Sequence, residues 1–250
     1  MIFPILTLGF LFIVMERIIP DQNLPSVKGW WLRVVIINLF QLGIVILSMV
    51  TIDPFFQSQQ AFKLNILPTP INGFISYIIL TFIFYWWHRW RHDIRLFWNL
   101  FHQVHHSPQR IETITSFYKH PVEIMVNSII IGCINFLLLG LSVEAAAWCL
   151  FYASLGEYFY HMNIKTPYKL GYFFQRPEMH RIHHQRGKHY QNFSDIPLWD
   201  ICFGTFNNPK SNHQPCGFEP KREKQLLKML LFRNINEPVN VNRGLNEAKK

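Results

Sequence analysis

Two stretches write the same pattern, H-x-x-H-H: His102-Gln103-Val104-His105-His106 and His180-Arg181-Ile182-His183-His184. At 3.6 residues per turn, positions i, i+3 and i+4 fall on one face of a helix, so each stretch is expected to aim three imidazoles at one small volume. His88 and His92 add an i, i+4 pair at the end of a long apolar run, and Glu157 and His161 make another. Eleven of the twelve histidines lie between His88 and His189, and the first 87 residues contain none. Neutral imidazole ligates iron, zinc, copper or nickel, and convergent imidazoles without a metal or polar partners are costly to desolvate. The spacing therefore predicts a metal centre and leaves the metal open.

The elements that must carry these side chains are apolar. Half of the 250 residues are hydrophobic, 16% are aromatic and only 16% are charged, which is high for a soluble globule. Ile2 to Ile19 carries charge only at Glu16 and Arg17, Val34 to Val50 carries none, and Ile71 to Trp87 carries none. Val122 to Tyr160 is 39 residues long. That is too long for one crossing of a hydrocarbon core about 30 Å thick and suits a hairpin of two, with its tip at Gly140 to Glu144. The expected fold is all-α: an integral membrane bundle of about four to five transmembrane helices, with a cytoplasmic helical cap carrying the metal site.

In chain order, Pro20 ends the first helix, and Trp30 and Trp31 mark an interface before a second helix that runs to about Val50. Pro54, Pro68 and Pro70 predict a loop or interfacial turn from Thr51 to Pro70. The third helix runs from Ile71 through His92, and a short cytoplasmic helix carries His102 to His106, closed by Ser107-Pro108. Pro121 opens the fourth helix, which leaves His120 as a capping residue or a group behind the ligands. Leu226, Leu227, Leu230 and Leu231 among lysines and arginines predict a helix over Glu219 to Arg233, lying on an anionic surface or docked on the protein itself. The chain after Asn234 reads as loosely ordered. Three regions result: residues 1–74 with the first membrane helices, 75–206 with the histidines, and 207–250 as a basic tail.

The net charge of +9 does not form a stripe interleaved with stacking aromatics, so nucleic acid is not the expected partner. Arg89, Arg91, Arg95, Arg110 and Lys119 cluster between the third and fourth apolar segments, whereas Asp53 to Pro70 holds only Lys63. The positive-inside rule then puts the histidines on the cytoplasmic face, beside anionic lipid headgroups. The membrane would be a bacterial inner membrane or, in a eukaryote, the endoplasmic reticulum. Four cysteines without C-x-x-C spacing indicate no disulfide framework. The first apolar run lacks a preceding basic residue and a small-residue cleavage site, and it reads as a retained helix rather than a signal peptide.

Taken together, Tyr85-x-x-His88-Arg89-x-x-His92, Leu96-Phe97-Trp98-x-x-Phe101-His102-x-x-His105-His106-Ser107-Pro108, His120-Pro121, His161-x-Asn163, Pro177-x-x-His180-Arg181-x-His183-His184 and Trp199-Asp200-x-x-Phe203-Gly204-Thr205 resemble the fatty acid hydroxylase superfamily, also called the sterol desaturase family. The resemblance covers about residues 75 to 206. It implies a membrane-embedded oxygenase in which two non-haem irons use O2 and two electrons on a lipid C–H bond, hydroxylating or desaturating a fatty acyl chain or sterol. Carried over by position, the ligands are His88, His92, His102, His105, His106, His161, His180, His183 and His184. Glu157, His120, Asn163 and His189 stand beside them as further ligands or supporting groups.

Two departures stand out. Glu157 replaces the histidine or glutamine that many members carry four residues before the equivalent of His161, so one iron would gain a carboxylate or a water-bridged neighbour. Asn192-Phe193-Ser194 replaces Asn-Tyr-Gly in a loop expected to border the substrate. Neither a dinucleotide-binding fingerprint nor a fused cytochrome-like segment occurs, so the electrons are expected from a separate ferredoxin- or cytochrome b5-like protein. A zinc-dependent membrane hydrolase is the alternative, weakened by the lack of any H-E-x-x-H. A haem carrier would use one or two of these histidines and leave seven unexplained.

Overall fold

An apolar run in hydrocarbon can satisfy its backbone only by closing its own hydrogen bonds, which makes the helix the default element here. The structure, a computed structural model, describes residues 2–64 and 66–235. Among them there is no strand; the chain is helical, with one isolated bridge between Gln185 and Cys216. Three helical runs are long and apolar enough to cross a membrane: α2 (Trp30–Ser58), α3 (Thr69–Asp93) and Pro121–Leu138. The last consists of α6 (Pro121–Gly132) passing into a π-helical turn at Cys133–Leu138. Beside them stand α1 (Ile2–Ile18) and α7 (Val143–His161).

Pairing of these helices positions everything else. α3 lies along α7, α2 along α6, and α1 against α7. Gly73 permits the α3–α7 approach, because a Cβ there would sit 2.5 Å from Trp148 Cβ and 2.6 Å from the Ala145 carbonyl. The expected hairpin turns at Gly140, whose φ of 58° lies in the left-handed region. Ser142 then caps α7 by accepting from the Ala145 N–H at 3.2 Å.

Two local expectations need correction. The second helix does not end near Val50; it continues through Pro54 to Ser58. There Asp53 and Phe56 close on Gly132 of the α6 run, and this packing outweighs the donor that proline removes. The predicted tail helix over Glu219 to Arg233 is instead two short helices, α10 (Pro220–Glu223) and α11 (Leu226–Leu230), separated where Gln225 leaves helical geometry. They dock on the protein: Met229 is fully buried in a cluster with Trp30, Val34, Trp98 and Tyr118, and Arg33 pairs with Glu223 at 2.9 Å. The stretch expected to be loosely ordered lies, from residue 236 on, outside the described residues.

The remaining elements gather around the ends of α3 and α7. They include α4 (Arg95–Phe97), a π-helical turn at Trp98–His102, α5 (Gln103–His106), 3-10 turns at Thr113–Thr115 and Tyr168–Tyr172, α8 (Pro177–His183) and α9 (Pro197–Cys202). Buried Glu16 fixes the end of α1 to this layer. It accepts from the Thr113 N–H and hydroxyl, both at 2.9 Å, and from the Asn163 N–H at 3.1 Å. Charge confined to the end of an apolar helix thus becomes the fastening between bundle and cap.

Candidate metal centre

Five elements bring nine imidazoles together. α3 ends with His88 and His92, the π-turn ends on His102, α5 carries His105 and His106, α7 ends on His161, and α8 runs through His180 and His183 to His184. They form two groups, His88, His92, His102, His106 and His183 in one and His105, His161, His180 and His184 in the other. Within each group one ligand atom per residue lies within 4.8 Å of all the others. The two groups abut where His106 and His184 stack, with ring centroids 4.2 Å apart and an interplanar angle of 16°.

Each H-x-x-H-H stretch was expected to serve one volume, and the geometry is different. His102 and His106 enter the first group while His105 enters the second; His180 and His184 enter the second while His183 crosses to the first. Successive helix positions are about 100° apart, so i and i+4 nearly eclipse while i+3 and i+4 diverge by about 100°. A triplet on one face therefore straddles two sites when the sites lie side by side.

The fixed tautomers suit a cation. His88 Nδ1 donates to the Phe193 carbonyl at 2.7 Å, His183 Nδ1 to the Gln191 carbonyl at 2.8 Å and His161 Nδ1 to the Glu157 carbonyl at 2.8 Å. With the proton on Nδ1, each ring turns a bare Nε2 lone pair inward. Buried Nε2 atoms of His88, His92 and His183 find no hydrogen-bond partner. In the second group His180 Nε2 lies 3.1 Å from His161 Nε2 and 3.0 Å from His184 Nε2. Crowded lone pairs and orphaned buried nitrogens are costly without a shared positive centre, so the residues fit a metal in each group. Burial, reinforced by neighbouring imidazoles, pushes His102, His105, His106, His180 and His184 well below the usual histidine range. His183 falls to about 3 for the same first reason, partly offset by its bond to Gln191. Rings neutral at pH 7 have no proton to displace before ligating.

The other sequence candidates fall around these groups. Glu157 is in neither; its carboxylate pairs with Lys119 while its backbone carbonyl holds His161. His120 caps α6, accepting from the Val122 N–H at 3.1 Å and contacting the Leu230 carbonyl at 3.3 Å. Asn163 ties the end of α7 to the chain after α1 through the Gln22 carbonyl at 2.8 Å. His189 lies behind the first group, edge-on to the His106 ring at 4.7 Å, with Nδ1 3.1 Å from the His183 carbonyl and Nε2 unpartnered.

Several supporting residues escaped the sequence reading. Glu123, fully buried at the start of α6, pairs with Arg91 and places Oε1 3.2 Å from His102 Nδ1. A carboxylate in an apolar helix opening, together with an arginine between two histidines, was the available signal. Asp200 accepts from the N–H groups of Phe193 and Ser194 at 2.8 and 3.0 Å and from the Thr205 hydroxyl at 2.6 Å, which fixes the loop that holds His88. Burial pushes Asp200 up to about 6 against those bonds. Asn192, at φ 57°, donates to the Met179 and Asn207 carbonyls, each at 2.9 Å.

A cavity of about 510 Å³ runs from these groups into the bundle. Ile2, Leu6, Phe10, Leu39 and Met49 line its far part, and His88, His102, His105, His180 and Phe193 line its near end. Its volume is that of a small-ligand site, roughly 300–1,000 Å³. An apolar passage ending on buried imidazoles suits a hydrocarbon chain delivered to a metal.

Comparison with known proteins agrees with this geometry. Residues 73–205, more than half the chain, match the family described as fatty acid hydroxylase. Sphingolipid C4-hydroxylase sur2 of Schizosaccharomyces pombe is 28% identical over 59% of this chain and 52% of its own length. The chain thus spans about half of that relative. Sphinganine C4-monooxygenase 1 of Arabidopsis thaliana is 25% identical over 82% of this chain and 81% of its own length. Alkylglycerol monooxygenase of Homo sapiens is 26% identical over 55% and 31%. No solved structure matches.

Proposed function

This chain belongs to the fatty acid hydroxylase family, and from that premise we propose that it is a membrane-bound di-iron oxygenase that inserts oxygen into a C–H bond of a lipid. The observation that carries the proposal is two adjoining groups of buried imidazoles at the end of an apolar cavity. The balance is R–H + O2 + 2 e− + 2 H+ giving R–OH + H2O, with the electrons from a separate protein. When bound, the two irons supply with O2 the oxidant that no side chain provides. His88, His92, His102, His106 and His183 would hold one, and His105, His161, His180 and His184 the other.

The chain's own residues do the rest. Phe193, Gln191 and Glu157 lock three ligand rings through backbone carbonyls, so their nitrogens need not reorganise during turnover. Apolar walls from α1, α2, α3 and α7 align the lipid chain and keep water from the reacting carbon. In this reading α1 and α7 join the membrane bundle, and the basic flank of α3 supports a cytoplasmic histidine end, where a soluble or membrane-tethered electron carrier can dock. Oxidation of a sphingolipid, of sphinganine or of an alkylglycerol, the lipids in the relatives' names, is the first reaction to assay.

The test is elemental analysis of purified protein with His105→Ala and His183→Ala beside it. About two irons per chain in the parent, lost together with lipid oxidation in the variants, supports the proposal. Full oxidation by a metal-depleted variant refutes it.

A further inference from the structure

Apolar cavities for hydrocarbon have no use for charge at the reacting end, yet this one has it. Where it meets His105 and His180, its wall carries Lys119, Glu157, Tyr160 and Asp195. Lys119 pairs with Glu157, and the Tyr160 hydroxyl donates to the Asp195 carboxylate. Gly156 makes room for the cluster: a Cβ there would lie 3.2 Å from the Tyr77 hydroxyl and 3.4 Å from Asp195 Oδ2. The Tyr160 ring is 4.4 Å from the His180 ring, so the cluster touches the second histidine group directly. The opposite end of the cavity, at Ile2, Leu6 and Met49, is wholly hydrocarbon.

A lipid oxidised at its tail end would have to bury this charged wall against methylenes and leave its own head in the apolar end. Both are costly: the ion pair would be stripped of its remaining hydration, and the lipid head would lose its hydrogen bonds without replacement. The reverse orientation satisfies both ends. We propose that Asp195, with Tyr160 and the Glu157–Lys119 pair, is a headgroup subsite selecting lipids that carry a hydroxyl or protonated amine within a few bonds of the oxidised carbon. Two cations line this end, but Lys119 is matched by Glu157 and Arg91 by Glu123, which leaves Asp195 as the carboxylate without a basic partner: hydrogen-bond donors and cations are accepted, and carboxylate or phosphate heads are disfavoured. The inference rests on the proposed lipid oxygenation and adds to it the end of the lipid that reaches the metals.

Binding tests it separately from turnover. Full-length protein in lipid nanodiscs is titrated with an eighteen-carbon 2-amino-1,3-diol and with the eighteen-carbon carboxylic acid, with metal content measured on the same samples. The parent is expected to favour the amino-diol about 10-fold or more, the effect of one charge-assisted hydrogen bond. Asp195→Leu should reduce that preference to about twofold while metal content is unchanged. Asp195→Asn, which preserves shape should the leucine variant fail to fold, should weaken the amino-diol and leave the corresponding neutral diol bound. Equal binding of amine and acid by the parent, or an unchanged preference in both variants, overturns the subsite. A preference without any metal or oxidation would instead defeat the oxygenase proposal and leave the subsite standing.

Discussion

Glu123→Gln should separate the two metal sites. The Glu123 carboxylate is fully buried, pairs with Arg91 and lies 3.2 Å from His102 Nδ1, so it both neutralises Arg91 and orients one ligand of the first group. The glutamine keeps the shape and one acceptor but removes the charge. A carboxylate behind a metal-bound histidine contributes roughly 10–100-fold in affinity, about 1.4–2.8 kcal/mol. Stranding buried Arg91 costs stability by about 3–5 kcal/mol. Metal titration of stripped protein should therefore show one of two sites weakened by that factor and the other unchanged. Arg91→Met with Glu123→Leu isolates the two effects, because an apolar pair restores stability without restoring the orienting carboxylate. Equal weakening of both sites, or recovery of affinity along with stability, would refute the assignment of Glu123 to His102.

Three further outcomes follow from particular residues. His183 and His189 are held at about 3 and about 4, below the ordinary 6.5, chiefly by burial. Below pH 6.5 the unfolded chain therefore binds more protons than the folded one, so metal-free protein should lose roughly 1.6 kcal/mol per group between pH 6.5 and 5, measured by denaturant unfolding in detergent. Stability that stayed flat over that window would contradict the burial. Asn192→Ala removes two carbonyl partners and strains a φ of 57°, so it should lower stability by roughly 1–3 kcal/mol and disturb the His88 end of the first group. Asn192→Gly should recover only the backbone part. Gly73→Leu forces side-chain atoms into Trp148 and the Ala145 carbonyl, and thermal unfolding should register a loss of at least 1–3 kcal/mol in round terms, about the range for overpacking.

What could be read from the chain alone divides by range. Helical type, apolar runs and the choice of histidines are local properties written at 3.6-residue spacing, and the hairpin tip at Gly140 shows itself through a small residue between two apolar runs. Helix limits were less legible where packing decides: nothing near Pro54 announces that Gly132 waits across the bundle. The supporting residues were least legible. Glu123, Asp200 and Asn192 look like ordinary capping or turn residues until the fold sets them against Arg91, the Phe193 N–H and the Met179 carbonyl. Glu157 was the reverse case: its spacing to His161 suggested a ligand, and its carboxylate faces Lys119 and the cavity.

The division of the two triplets gives the sharpest test of the centre, because sequence pattern and geometry predict opposite results for paired substitutions. If each H-x-x-H-H stretch held its own metal, His183→Ala with His184→Ala would strip one site and spare the other. In the observed grouping those two residues belong to different sites, leaving four imidazoles in one and three in the other. That pair should weaken both metals while the stoichiometry at saturation stays near two. His105→Ala with His184→Ala draws instead on two different helices and one group, leaving only His161 and His180 there. It should yield a chain that binds a single metal with parental affinity, since the five imidazoles of the other group are untouched. Cobalt titration followed by its visible absorption counts both cases without reference to turnover. One tight site after the neighbouring substitutions, and two weak sites after the distant ones, would show that the triplets and not the mixed groups are the binding units.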